Sequence, residues 1–308
     1  MKTLSMNKLL ILQINILFLL LGLHFGLFAQ DSKSKDIQKE VSVLFKSCKY
    51  KECMELSQSQ RYDDWNNNIP EYLAAMAICC IQIGYPADSA YHYLIGNEKN
   101  MVQAPWLGCP EFEKIENDPR WEQFLGLFKK RYTKTTDTLG IGYQLLLTSI
   151  TDQRNRQKLS KKCAYPDLNK DETWKIINRD DSINLSILMN IVENHGWPTI
   201  SKVGKIPSAS AFFILQHANL SVQEKYLPQI DSLAKIKEVN KWDFVYLADR
   251  VITRKKGYQL YGTQNDEKGL VPIFEPENLN IRCREAGIPL WTDEELIKVG
   301  IDPKIVKK

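Results

Sequence analysis

The sequence lacks the motifs that mark the common nucleotide-binding and hydrolytic sites. Its 308 residues contain no Gly-x-x-x-x-Gly-Lys-Ser/Thr loop, no Gly-x-Gly-x-x-Gly loop, no His-Glu-x-x-His helix and no Gly-x-Ser-x-Gly turn. These four motifs belong to phosphate-binding loops, zinc-protease helices and nucleophile elbows. Each such site needs its residue types at fixed spacings, because the spacing places the binding or reacting groups on one side of the loop, helix or turn. The sequence therefore predicts no cofactor and no metal site.

Charge of one sign and long apolar runs are also scarce. Lysine and arginine number 41 against 37 aspartates and glutamates, a net charge of +4, which is too balanced to indicate a nucleic-acid partner. Only one long apolar run occurs, and this excludes a protein that crosses a membrane many times. Hydrophobic residues at 44% and charged residues at 25% are ordinary for a globular chain. At this length, about two domains are expected.

The apolar run lies at the N-terminus and has the layout of a secretory signal peptide. Lys2 and Lys8 precede a run that extends to Ala29, after which the sequence turns polar at Asp31. A basic start, an apolar middle and a small residue at the exit are typical of a cleaved signal. The alternative is an uncleaved membrane anchor. We expect residues 1–29 to be removed and the protein to be periplasmic or secreted, with membrane contact only if cleavage fails.

The seven cysteines contain no Cys-x-x-Cys pair that would indicate zinc or redox chemistry. Their odd number leaves at least one free thiol. Cys79 and Cys80 lie in an apolar stretch, where cysteine commonly acts as a small hydrophobic residue. We expect most of the thiols to be buried. The sequence does not decide whether one disulfide bond forms within the N-terminal half.

Residues 35–130 are expected to form a first helical domain. Apolar residues recur at helical spacing, and the clearest pair is Tyr72–Ile83 and Ala87–Leu94, separated by a turn at Gly84. This pair resembles a degenerate tetratricopeptide repeat, and the resemblance implies stacked helix pairs that bind a protein partner. The alternative is an unrelated helical bundle. The polar stretch 131–138 is interpreted as a linker.

Residues 139–302 are expected to form a second, mostly helical domain. Ser221 with Glu224, and Thr292 with Glu295, have the spacing of capping boxes. Residues 258–263 and 270–274 alternate around a turn at 265–269, which predicts one small β-hairpin. The predicted fold class is therefore mainly α, with two helical domains and one hairpin in the second.

Six motifs occur in order in this second half. They are Asp152-Gln153-x-x-Arg156, His195-Gly196-Trp197-Pro198 with Val203-Gly204, Gln216-His217-Ala218, Leu247-Ala248-Asp249-Arg250-Val251, Gln259-x-Tyr261-Gly262-Thr263-Gln264 and Arg282-x-Arg284-x-x-Gly287-x-Pro289-Leu290. Together they resemble the bacterial family known as domain of unknown function 6624, over about 150 residues. Cys283 departs from the pattern, since a charged or small residue is expected beside the arginines. The resemblance implies an exported bacterial protein and supplies no established activity.

The polar residues of these motifs are the candidate site. His217 closes one predicted helix, Asp249 lies late in another, and the hairpin begins just after Gly257, so chain turns can bring the three ends together. His217 and Asp249 are the candidate catalytic residues. The candidate ligand-binding residues are Asp152, Gln153, Arg156, Arg250, Gln259, Tyr261 and Gln264. A buried structural hydrogen-bond network would also demand such specific residues and is the competing interpretation.

Two functions remain open from the sequence. The first is an exported binding or interaction protein, whose repeat-like half recruits a partner and whose second half holds a ligand-binding or structural polar cluster. The second is a hydrolase or transferase in which His217 acts as general base and Asp249 orients it. An enzyme needs these side chains to meet at an accessible surface, whereas a structural network is sealed.

Overall fold

A computed structural model describes residues 32–59, 70–95, 107–134 and 136–307. The predicted signal peptide at residues 1–29 lies outside the described residues. Within them the chain forms thirteen α-helices and one two-stranded antiparallel sheet, which confirms the mainly α fold class. None of the helices in these segments has the length and apolar content needed to cross a membrane.

The elements are numbered in chain order. The helices are α1 (Ser32–Lys46), α2 (Tyr50–Ser59), α3 (Pro70–Gln82), α4 (Ala87–Ile95), α5 (Pro119–Tyr132), α6 (Ile141–Ser160), α7 (Lys170–His195), α8 (Ile200–Val203), α9 (Lys205–His217), α10 (Leu220–Lys235), α11 (Lys241–Lys256), α12 (Leu279–Glu285) and α13 (Asp293–Lys298). Short 3-10 turns occupy Pro110–Lys114, Pro276–Asn278 and Pro303–Ile305. The strands are β1 (Asn265–Asp266) and β2 (Gly269–Leu270).

Contacts group the chain into two compact units. Among the described residues, one unit comprises residues 32–59, 70–95, 107–133 and 146–180, and the other comprises residues 134, 136–145 and 181–307. The long helices α6 and α7 contribute to both units. The predicted domain limits, 35–130 and 139–302, stay a prediction, and the contact grouping differs from them because parts of α6 and α7 join the N-terminal helices.

The unit with the N-terminal helices is organised around α3. Residues from Ala74 to Cys80 are at most 7% exposed, because this helix is apolar on every side and must be covered all round. Helix α4 packs against it across the turn at Gly84, whose φ of 80° suits glycine. The predicted helix pair is therefore present.

The segment after α4 lies directly against α6 in the same unit. Gly108 approaches so closely that an added Cβ would lie 2.7 Å from Cβ of Gln153. Arg154 on α6 donates to both carboxylate oxygens of Glu116, and Lys161 donates to both oxygens of the fully buried Glu111 at 2.9 Å. The ion pairs hold this segment against α6, and the glycine at position 108 allows the close approach.

A disulfide joins Cys48, after α1, to Cys163, after α6. The prediction left open a bridge within the N-terminal half, and the bridge instead spans 115 residues of sequence. Near the bridge, Lys161 Nζ lies 6.0 Å from the centre of the Phe45 ring, so the segment after α6 also approaches α1 of this unit. The other described cysteines are free and buried, as expected for small hydrophobic residues.

The other unit has an apolar core formed by α7, α9, α10 and α11. Its buried members are Leu145, Leu188, Ile191, Trp197, Ala211, Phe212, Ile214, Leu215, Ile230, Val239, Leu247 and Val251. Asn219 caps α10 by accepting a hydrogen bond from Val222 N, so the predicted Ser221–Glu224 capping box is wrong. The predicted Thr292–Glu295 capping box on α13 is confirmed.

The predicted hairpin is present but much shorter than expected. Its strands are the two-residue β1 and β2, and they occupy the segment predicted as the turn. Residues 258–263, predicted as a strand, form a loop instead, apart from one isolated bridge between Gln259 and Ile273. The loop has no partner strand because its backbone N–H groups bind a side chain, as described next.

Candidate functional site

Asp249 on α11 binds the loop 260–263. Its Oδ1 accepts from Leu260 N at 2.7 Å and Tyr261 N at 3.0 Å, and its Oδ2 accepts from Thr263 N and Thr263 Oγ1, both at 2.9 Å. The side chain has no exposed surface. Burial raises the pKa of Asp249, and the backbone donors oppose that rise because they stabilise the charged form. This carboxylate acts as a clamp for the loop.

Gln259 and Gln264 close the same loop. The Nε2 of Gln259 donates to Gln264 O at 2.9 Å and to Val271 O at 2.7 Å, and its Oε1 accepts from Gln264 N at 2.6 Å. The Nε2 of Gln264 donates to Thr263 Oγ1 at 3.0 Å. Both glutamines are buried, so their amide groups satisfy the loop backbone rather than face solvent.

Tyr261 occupies the outer face of the loop. Its carbonyl accepts from Trp291 Nε1 at 3.1 Å, and its ring packs edge-on against Phe244. Gly262 has a φ of 88°, and an added Cβ would lie 2.3 Å from the Trp291 ring. Burial raises the pKa of Tyr261 to about 12. Close packing against Trp291 therefore explains the Tyr261-Gly262 pair of the motif.

Arg250 positions the chain around His217. Its guanidinium donates to Gln216 O at 2.6 Å, and Gln223 Nε2 donates to the same carbonyl at 2.7 Å. Arg254, one turn further along α11, donates to Ala218 O at 3.4 Å and to Gln223 Oε1 at 3.1 Å. The backbone on both sides of His217 is thus held by side-chain donors.

His217 itself ends α9 and is half-buried, and the carboxylate found beside it is that of Asp181 on α7. A ring nitrogen of His217 and a carboxylate oxygen of Asp181 lie within 4.8 Å, and Asp181 is also half-buried. The pairing of His217 with Asp249 stays a prediction. Sequence reasoning missed Asp181, which lies in the polar run Arg179-Asp180-Asp181-Ser182 and carries no motif of its own.

Asp152, Gln153 and Arg156 lie together on α6. Arg156 donates to Asp152 O at 2.7 Å and to Asp152 Oδ1 at 3.3 Å, and Gln153 Nε2 donates to Asp152 Oδ2. The ion pair is buried, since Asp152 is 1% and Arg156 2% exposed. A buried pair of this kind is strongly destabilising to break, because one charge is then left uncompensated.

Imidazole and carboxylate are acceptable ligands for several divalent metals, so His217 and Asp181, which belong to the same unit, also offer two metal-ligand atoms.

A separate cavity of about 340 Å³ lies beside the His195-Gly196-Trp197-Pro198 motif. Two of its charged groups have structural partners: Asp137 accepts from Ile141 N and Gly142 N at the start of α6, and Lys202 Nζ donates to His195 O at 2.9 Å.

Comparison with known proteins identifies a family for the C-terminal part of the chain. The model of the Family of unknown function (DUF6624) matches residues 141–307, more than half of the chain. The chain belongs to this family. All the candidate residues on α6, α7, α9 and α11 lie within the DUF6624 segment, and the predicted resemblance of the C-terminal half is confirmed. No curated protein and no solved structure shows significant similarity to the chain.

Proposed function

We propose that the DUF6624 segment carries an acid–base site formed by His217 and Asp181, and that the protein is a hydrolase or group transferase. The observation that supports this proposal is the proximity of an imidazole and a carboxylate, both half-buried, within 4.8 Å. The carboxylate that the sequence predicted to be catalytic, Asp249, is sealed and accepts hydrogen bonds from four donors of the loop. Among the described candidate residues, His217 and Asp181 combine proximity with partial access to solvent.

The chemistry assigned to each group follows from its type. A neutral imidazole accepts a proton from water or from a hydroxyl group that attacks the substrate, and a nearby carboxylate stabilises the imidazolium that forms. Arg250 and Gln223 position the imidazole, because both donate to the carbonyl of the residue before it. His217 is therefore the general base in this proposal, and Asp181 replaces Asp249 as its partner.

The test is turnover of a panel of p-nitrophenyl carboxylate and phosphate esters by the purified protein. His217→Gln and Asp181→Asn are each expected to lower kcat by about 10²- to 10⁴-fold on any ester that the wild type hydrolyses. His195→Gln is the matched control, because His195 is an exposed histidine at the end of α7. An unchanged kcat in folded His217→Gln protein contradicts the proposal.

The same assay distinguishes a metal mechanism. Activity that is lost with EDTA and restored by Zn²⁺ or Mn²⁺ would assign Asp181 and His217 as metal ligands and would overturn the acid–base mechanism. Activity that is insensitive to EDTA is the expected result.

Export is proposed on two observations. The N-terminal layout is that of a signal peptide, and the Cys48–Cys163 disulfide is of the kind that persists in oxidising compartments. Expression of the whole chain in a Gram-negative host is expected to yield a periplasmic protein whose N-terminal residue is Gln30. A cytoplasmic chain that begins at Met1 would contradict export.

Partner binding by residues 35–130 is the second candidate function. The helix pairs α1–α2 and α3–α4 support it, as does the exposed Tyr85 at the turn of the second pair, with 48% of its surface accessible. We propose that these helix pairs resemble tetratricopeptide repeats and that they bind a protein partner, not a nucleic acid. A photo-crosslinker at Tyr85 is expected to capture a protein that the same crosslinker at Ile297 does not.

A further inference from the structure

Two arginines of α11 contact the chain on both sides of His217. Arg250 donates to the carbonyl of Gln216, and Arg254 donates to the carbonyl of Ala218. They lie four residues apart and therefore on one face of the helix. Helix α11 thus places two positive charges next to residues 216–218, the segment that contains the proposed general base His217.

The two guanidinium groups differ in exposure. Arg250 is 5% exposed and has the positioning role described above, whereas Arg254 is an exposed residue. Both hydrogen bonds of Arg254 come from one terminal nitrogen and go to neutral oxygens, Ala218 O and Gln223 Oε1. A guanidinium has five N–H groups in a planar fork, so most of its donors remain.

The charge of Arg254 is not matched by an ion pair within the part of the chain that the structure describes. Its neighbour Lys255 differs in this respect, because it pairs with Glu224. An arginine remains a cation at neutral pH. A guanidinium that is hydrogen-bonded to neutral oxygens and has N–H groups left over is suited to bind an anion.

We infer that the substrate of the His217 site carries an anionic oxygen group, a phosphate or a carboxylate, and that Arg254 binds it. This inference rests on the proposed function for the reaction at His217, while the anion site can be tested without turnover. Arginine pairs with both phosphate and carboxylate through two parallel N–H···O bonds, which fixes orientation as well as position. The group to be cleaved would then lie beside the imidazole, because Arg254 contacts the residue that follows His217.

The experiment uses the full chain and two probes, inorganic phosphate and acetate, at constant ionic strength. Binding is followed by the NMR signals of the His217 imidazole. We expect at least one probe to shift these signals, with Kd raised about tenfold or more in Arg254→Gln, as for loss of a charge-assisted hydrogen bond. Lys255→Gln removes the same charge one residue away, and its Kd is expected to stay within about twofold of the wild type, since an ion-paired surface lysine contributes little.

Each outcome decides one point. Binding of phosphate alone identifies a phosphorylated substrate, and binding of acetate identifies a carboxylate. Absence of binding of both probes, an unchanged Kd in Arg254→Gln, or an equal rise in Lys255→Gln would overturn the inference. His217→Gln separates the two proposals: it is expected to retain Arg254-dependent probe binding, followed there by the amide signals of residues 216–218, while turnover is lost. Turnover that survives this substitution would contradict the proposed function and leave the anion site intact.

Discussion

Thr263 donates two hydrogen bonds to the same carboxylate oxygen of Asp249, one from its backbone nitrogen and one from its hydroxyl group, both at 2.9 Å. With the N–H groups of Leu260 and Tyr261 on the other oxygen, every bond to the carboxylate comes from the loop. This relationship explains why an aspartate is needed in α11 and why the following segment is not a strand.

Asp249→Asn is expected to destabilise the protein. The amide nitrogen cannot accept a hydrogen bond, so at least one buried loop donor loses its partner, at a cost of about 2–4 kcal/mol in the free energy of unfolding. Urea denaturation measures this change. Glu267→Gln, an exposed acid on the same hairpin, is the control and should change the free energy by less than about 0.5 kcal/mol. Equal stability of wild type and Asp249→Asn would contradict the clamp.

Asp243 is expected to make stability fall as pH rises. Burial raises its pKa to about 8, whereas the unfolded value is about 3.9. The folded state therefore keeps a proton that the unfolded state releases, so this contribution to stability is complete below about pH 4 and is lost as pH rises through about 8. Asp243→Asn should match the wild type near pH 4 and exceed it by about 1 kcal/mol or more at pH 8.5, because its amide carries no charge to bury.

The control for this pH dependence is Asp293→Asn. Asp293 also lies in the first turn of a helix but is exposed. Urea denaturation at several pH values should give parallel curves for this variant and the wild type. A gap between Asp243→Asn and wild type that does not widen with pH would rule out a buried neutral Asp243.

Gly108→Ala is expected to weaken the attachment of the 107–118 segment to α6. The new Cβ would lie 2.7 Å from Cβ of Gln153, which cannot rotate away because it belongs to the helix. Overpacking of this kind costs about 1–3 kcal/mol. Thermal unfolding should show the loss. Gly126→Ala in α5 is the matched control, since nothing lies within 4 Å of its added Cβ, and there alanine should stabilise the helix by about 0.5–1 kcal/mol.

Loss of the Cys48–Cys163 disulfide is expected to lower stability by about 3–5 kcal/mol, because the bridge closes a long loop in the unfolded chain. Cys48→Ser, Cys163→Ser and the double variant should lose the same amount, since each removes the same bond. Urea denaturation with and without reductant measures it. Reductant should have no effect on the variants, and losses that add in the double variant would show that the two cysteines act separately.

The sequence by itself determined the features that depend on local pattern. Apolar residues at helical spacing predicted the α3 and α4 helices, and the Thr292–Glu295 spacing predicted a capping box that is present. Local periodicity and capping depend on neighbours within one or two turns, so the chain order alone contains this information. The six ordered motifs likewise identified the DUF6624 segment.

Only the tertiary structure decided what the polar residues do. Asp249 and His217 looked equally suited to catalysis in the sequence, yet one is sealed by four loop donors and the other is half-exposed beside Asp181. No sequence pattern pointed to Asp181 as a site residue, because it is 36 residues from His217 in the chain and lies in an ordinary polar run. Burial and the identity of distant partners depend on how helices pack, and packing joins residues whose separation along the chain carries no pattern.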